Sequence, residues 1–194
     1  MSFLKEFAIT FACYIVFNLI FMVLFVAVGG LGPEVTVNVF FGEWVANDWG
    51  AFLTVVFQPG GNQGSFYLSI LYYANPITTS ADNGLTTGAN VMGIIWVVMP
   101  GVISALIGGY KYSEGEIARA YFSTLFAIVL AYTVPIIISS AGLLDPALPN
   151  NFIAESGIIP DMFLNQVYIK FILVSFINGA IFGGPAAVIA ESNY

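Results

Sequence analysis

Histidine is absent from this sequence, and Cys13 is its only cysteine. The first absence excludes a Ser-His-Asp or Cys-His catalytic arrangement and a histidine ligand to haem. A lone cysteine cannot form an intrachain disulfide, and a zinc site or iron–sulfur cluster held by His and Cys of this chain is excluded too. We therefore predict no catalytic residue, no metal site and no cofactor, and we interpret Cys13 as a small residue packed inside a helix bundle.

Charge is also scarce. Only 8% of the residues are charged and 59% are hydrophobic, whereas a soluble domain carries roughly 25% charged residues. So few charges cannot cover a water-exposed surface, which indicates that lipid solvates most of this protein. We predict one membrane domain over residues 1–194 and no separate soluble domain. The formal net charge of −7 argues against nucleic acid as a partner.

Four long apolar stretches contain Lys170 as their only charged residue. Each has about the 20 residues that a helix needs to cross the hydrocarbon layer. The first is too long for the apolar region of a signal peptide and is read as a helix. The predicted fold class is an all-α integral membrane protein, with four transmembrane helices as two hairpins and short interfacial helices in the outer connections. The predicted spans are about 7–28, 91–110, 120–140 and 167–189.

The cations predict the orientation. Lys5 precedes the first helix, and Lys111 and Arg119 flank the short connection between the second and third helices. The outer connections, about 29–90 and 142–166, contain acidic residues and no cation. Because Lys and Arg are enriched in cytoplasmic loops, we predict a multi-pass protein of the cell membrane with both termini in the cytoplasm.

The first outer connection is too long for a plain loop. Within 43–57 the apolar residues recur on one helical face, which predicts an amphipathic helix lying on the outer membrane surface. Trp44, Trp49 and Phe52 are its candidate docking residues, for lipid headgroups or for a neighbouring protein.

Small residues recur every fourth position in the second and fourth helices. Such ridges let two helix backbones approach closely, so we predict that they pack against each other or against another subunit. The ridge residues are Gly101, Ala105, Gly109, Ser175, Gly179 and Gly183. The segments ALIGG and AIFGG also suggest an internal repeat at an offset of 75, but the ridges align at 74, so duplication and chance both stay open.

Four polar residues fall inside the predicted helices: Asn18, Ser104, Thr133 and Asn178. They are candidates for a polar path through the membrane, although hydrogen bonding between helices is the favoured interpretation. Glu114, Glu116 and Glu191 are predicted at the cytoplasmic side. They are candidates for a cation or proton entry site, or more simply solvated carboxylates partly paired with Lys111 and Arg119.

These features favour a non-catalytic integral subunit that supports or assembles a larger membrane complex. The expected partners are other membrane subunits or further copies of the chain, together with lipids. The alternative is a small transporter or channel component built from two helix hairpins. A membrane enzyme that uses carboxylates has the least support, because no spacing indicates a carboxylate pair in a pocket.

Overall fold

The computed structural model describes residues 2–31, 34–44, 52, 56–57, 86–112, 116–140 and 167–192. Helices make up its regular secondary structure, and no strand occurs in these ranges. The helices are α1 (Phe3–Ala27), α2 (Val37–Val39), α3 (Thr87–Ile107), α4 (Ile117–Ser140) and α5 (Val167–Ser192). Two π-helical turns, Phe40–Trp44 and Gly108–Tyr112, continue α2 and α3.

Three helical stretches are long and apolar enough to cross a membrane: Phe3–Ala27, Thr87–Tyr110 and Ile117–Val134. This matches the predicted class of a helical, multi-pass membrane protein. Beyond its first turn, α1 exposes large apolar side chains, with Val16, Ile20 and Leu24 each 45–51% exposed. Apolar side chains on the outside of a bundle are stable in lipid and unfavourable in water.

Local chemistry explains the helix ends. The Thr86 hydroxyl accepts a hydrogen bond from the Ala89 amide at 3.2 Å and caps the start of α3. Helix α1 ends just before Gly29, whose φ of 80° is a left-handed conformation that glycine adopts without strain. Pro100 and Pro185 lie inside α3 and α5 without ending them.

Contacts between α1 and α3 show that the two helices run antiparallel. Asn18 bonds to Trp96, whereas Thr10, two turns nearer the start of α1, lies beside Gly108 near the end of α3. Helices α4 and α5 are also antiparallel, since Gly179 lies against Leu125 and the later Gly183 against the earlier Tyr121.

Three buried clusters form the core. Aromatic and large aliphatic residues fill the half of the bundle nearer the end of α1: Met22, Phe25, Val26, Phe40, Ala89, Trp96 and Val97. A second cluster contains Tyr14, Ile128, Ala131, Tyr132 and Phe182. The third cluster, towards the other end, consists of four alanines: Ala105, Ala120, Ala186 and Ala190.

Candidate functional site

Helix α1 carries a stripe of polar side chains that faces the interior. Glu6, Thr10, Tyr14 and Asn18 follow each other at intervals of four residues, and each is at most 1% exposed. Residues four apart lie on one face of a helix, so this polar stripe runs through four consecutive turns. A buried polar stripe on a membrane helix is costly unless its groups find partners, which makes it the first place to look for a function.

Asn18, the stripe residue farthest from the start of α1, hydrogen-bonds to other elements through both its amide oxygen and its amide nitrogen. The Asn18 Oδ1 atom accepts a hydrogen bond from the Trp96 indole at 2.6 Å, and its Nδ2 atom donates to the Val56 carbonyl. One side chain thus joins α1, α3 and the segment that follows α2. Tyr14, one turn away, packs beside Ile128 and Tyr132 of α4.

The shallow end of the stripe contains an ion-pair group. Arg119 of α4 lies 3.4 Å from Glu6 Oε1 and 2.5 Å from Glu116 Oε1. Glu6 is fully buried, whereas the Glu116 side chain is 56% exposed. The second carboxylate oxygen of Glu6 has no hydrogen-bond partner in the described part of the chain.

One turn deeper, two threonine hydroxyls lie close to the same glycine. A Cβ atom added to Gly108 would lie 3.2 Å from the Thr10 hydroxyl and 3.1 Å from the Thr124 hydroxyl. Both hydroxyls are fully buried, and neither has a hydrogen-bond partner among the residues that the structure describes. We call Glu6, Thr10, Gly108 and Thr124 the inner polar site.

The other members of the predicted polar path lie on different helices. Ser104 and Thr133 donate to carbonyls of their own helices, at 2.7 Å to Pro100 and 3.1 Å to Leu130. Asn178 is buried in α5 at 1% exposure. Of the predicted carboxylates, Glu116 pairs with Arg119, Glu191 is exposed at the end of α5, and Glu114 lies outside the described residues.

The ridge on α3 faces α5. A Cβ atom on Gly101 would collide with the Phe182 ring, and one on Gly109 would lie 2.5 Å from the Ala186 carbonyl oxygen. Ala105 lies between them in the alanine cluster.

The ridge on α5 faces α4 instead. A Cβ atom would lie 2.7 Å from the Leu125 carbonyl oxygen at Gly179 and 3.1 Å from that of Tyr121 at Gly183, and Ser175 is buried on the same helix. At these glycines the two ridges therefore contact different surfaces and not each other, and the predicted contact with another subunit stays a prediction. Both allow close backbone approach, but α5 meets α3 and α4 through different faces.

Of the candidate docking residues, Phe52 is half-buried, with its ring 6.2 Å from those of Phe40 and Phe41. Trp44 is the last residue of the first π-helical turn, and Trp49 lies outside the described residues.

Glu6, Thr10 and Thr124 were missed by the sequence reasoning. The sequence interpretation began the first helix at residue 7, but α1 begins at Phe3, which brings Glu6 into the helix. The missed signal was the four-residue spacing from Glu6 to Asn18.

Carboxylate and hydroxyl oxygens at the inner polar site are chemically suited to a hard cation or to protons, but not to a soft metal. Within the described ranges no three His, Cys, Asp or Glu residues come together as a metal-binding group. No protein-family model, no curated protein and no solved structure matches this chain.

Proposed function

We propose that the chain crosses the membrane four times, as two helix hairpins with both termini in the cytoplasm. The fourth span would be α5, a 26-residue helix antiparallel to α4. The start of α1, the end of α3, the start of α4 and the end of α5 lie at one end of the bundle, as the contacts of Glu6, Gly108 and Gly109 indicate. Lys5 and Arg119 are both at that end, which favours a cytoplasmic location.

Within this topology, we propose that the protein is a non-catalytic integral subunit that supports a larger membrane complex. The observation that carries the proposal is the closed interior. Side chains from three helices fill the bundle at the level of Tyr14, Tyr132 and Phe182, and Phe25 packs on Trp96 with ring centroids 5.1 Å apart nearer the other end. A bundle packed in this way favours a structural role over a pathway through the chain.

The outer surface of the bundle supports partners within the membrane. Phe3, Phe122 and Phe126 are 40–46% exposed and contact each other in series, with centroid distances of 6.5 and 5.9 Å. Aromatic residues are enriched at protein interfaces, and this face suits a neighbouring transmembrane helix or lipid chains.

The test is purification of the tagged native protein in mild detergent, followed by native mass spectrometry and by reconstitution of the chain alone. We expect other membrane proteins at fixed stoichiometry, and no ion flux above that of empty vesicles. A homo-oligomer that conducts ions or transports a solute would overturn the proposal.

The second candidate function, a small transporter or channel component, is favoured by the inner polar site alone. Buried oxygens that have no hydrogen-bond partner among the described residues, near one end of the bundle, suit a cation entry site. The test is ion flux through the isolated chain in vesicles, with Glu191→Gln as the control variant. Flux that is lost in Glu6→Gln and kept in Glu191→Gln would make this candidate the leading one.

A further inference from the structure

Two helices bring oxygen atoms to the inner polar site, and a third contributes a glycine. Glu6 and Thr10 are one turn apart on the buried face of α1, Thr124 comes from α4, and Gly108 is the residue at which α3 becomes π-helical. The distances from the Gly108 Cβ position place the two threonine hydroxyls within about 6 Å of each other.

The orientation of the two hydroxyls is unusual for threonine in a helix. A helical threonine ordinarily satisfies its hydroxyl by donating to the backbone carbonyl three or four residues earlier. Ser123 and Thr133 do so in α4, at 3.2 and 3.1 Å. Thr10 and Thr124 lack such a bond, and both oxygens lie within 3.2 Å of the Cβ position of Gly108. Two fully buried hydroxyls that lie close to one point and lack a described partner indicate a polar ligand beside them.

Charge identifies the class of that ligand. Glu6 shares the Arg119 guanidinium with Glu116, and the shorter bond, 2.5 Å, goes to Glu116. Glu6 Oε2 is buried and has no hydrogen-bond partner among the described residues. A buried carboxylate oxygen without a partner is unfavourable in a membrane protein, and because the inner polar site contributes one carboxylate, a ligand with a single positive charge matches it.

We propose that the inner polar site binds one small monovalent cation, sodium being the best match. Glu6 supplies a carboxylate oxygen, and Thr10 and Thr124 supply hydroxyl oxygens, which are the hard ligands that such ions prefer. Gly108 suits the site because a Cβ atom there would crowd both hydroxyls, at 3.1 and 3.2 Å. The proposal goes beyond the structural role proposed above and does not depend on it.

Thermal unfolding of the purified full-length chain in detergent tests the proposal. Unfolding is measured in NaCl, LiCl, KCl, CaCl₂ and choline chloride at constant ionic strength. A ligand that binds only the folded state raises the Tm with its concentration, and a site saturated about 100-fold above its Kd gives a rise on the order of 5 °C. We expect such a rise with sodium relative to choline.

Matched variants locate the site. Thr10→Val and Thr124→Val keep the side-chain shape and remove one oxygen each, and Glu6→Gln removes the charge. Each should weaken the apparent sodium affinity at least tenfold. Thr133→Val is the control, because the Thr133 hydroxyl already bonds within its own helix, and it should leave the sodium dependence unchanged.

The wild-type comparison by itself can overturn the proposal, even if a variant fails to fold. Equal Tm values in sodium and choline would show that the threonine hydroxyls are merely hydrated. A rise with calcium alone would contradict the monovalent class. A sodium dependence that survives in both threonine variants would place the ion elsewhere.

Discussion

At the scale of single residues, Asn18 and Glu6 lie on the same buried face of α1 but differ in how their polar atoms are satisfied. Asn18 uses both ends of its amide, towards Trp96 and Val56. Glu6 shares Arg119 with Glu116. Interhelical hydrogen bonds in membranes contribute roughly 0.6–2 kcal/mol each, whereas a buried charge that loses its partner is far more costly.

Replacement of Asn18 by leucine should destabilise the bundle by about 1–3 kcal/mol, because the Trp96 indole would be buried without an acceptor. Unfolding in detergent, followed by Trp fluorescence, measures the loss. Asn38→Leu is the matched control, since Asn38 is exposed in α2 and should tolerate the change. Equal stability of Asn18→Leu and the wild type would show that the hydrogen bonds of the Asn18 amide do not stabilise the bundle.

Replacement of Arg119 by glutamine should destabilise the protein by about 3–5 kcal/mol, because Glu6 would be left as a buried unpaired carboxylate. Glu116→Gln should change stability by less than about 1 kcal/mol, since that pair is half exposed. The double variant Arg119→Gln, Glu6→Gln should recover most of the loss. A double variant no more stable than Arg119→Gln would contradict the role given to Glu6.

At the scale of helices, the ridges could be recognised in the sequence, but their partners could not. Gly109 and Gly179 make backbone-to-backbone approaches to α5 and α4 respectively. Spacing shows that a close approach is available, but not which helix makes it. The core and the lipid are equally apolar, so hydrophobic periodicity does not reveal which face of a membrane helix is buried.

Replacement of Gly109 or Gly179 by alanine should cost about 1–3 kcal/mol, because the methyl group would lie 2.5 or 2.7 Å from a backbone oxygen of the neighbouring helix. Gly88→Ala is the control, since the nearest atom to its added Cβ is 3.8 Å away and Gly88 lies in the first turn of α3. Thermal stability in detergent measures each change. Unchanged stability of both variants would mean that the neighbouring helix moves away to accommodate the methyl group without a loss of stability, and would contradict the prediction.

At the scale of the whole molecule, both functional proposals depend on which end of the bundle faces the cytoplasm. The contacts place Glu6, Arg119 and Gly108 at one end of the bundle, and the distribution of cations favours the cytoplasm for that end. The partners expected for a structural subunit, and the source of cations for the inner polar site, both depend on this orientation.

Cysteine labelling in whole cells tests the orientation, in a Cys13→Ala background that removes the native thiol. A cysteine at Gly84 should react with an impermeant thiol reagent added outside, and one at Gly115 should react only after the cells are permeabilised. The reverse pattern would invert the topology. It would leave the contacts within the bundle unchanged.

Composition and hydropathy alone determined that this chain is helical, with helices apolar enough to cross a membrane, and where those helices lie to within a few residues. Hydropathy and composition are sums over neighbouring residues, so each apolar helix can be recognised from its own segment of the sequence. Only the tertiary structure decided that α5 meets α3 and α4 through different faces, that Glu6 belongs to the buried interior, and that Thr10 and Thr124 converge on Gly108. Those facts depend on the rotation of each helix about its axis. Contacts between residues far apart in sequence set that rotation, and because lipid is as apolar as the core, the hydrophobic pattern of a membrane helix does not encode it.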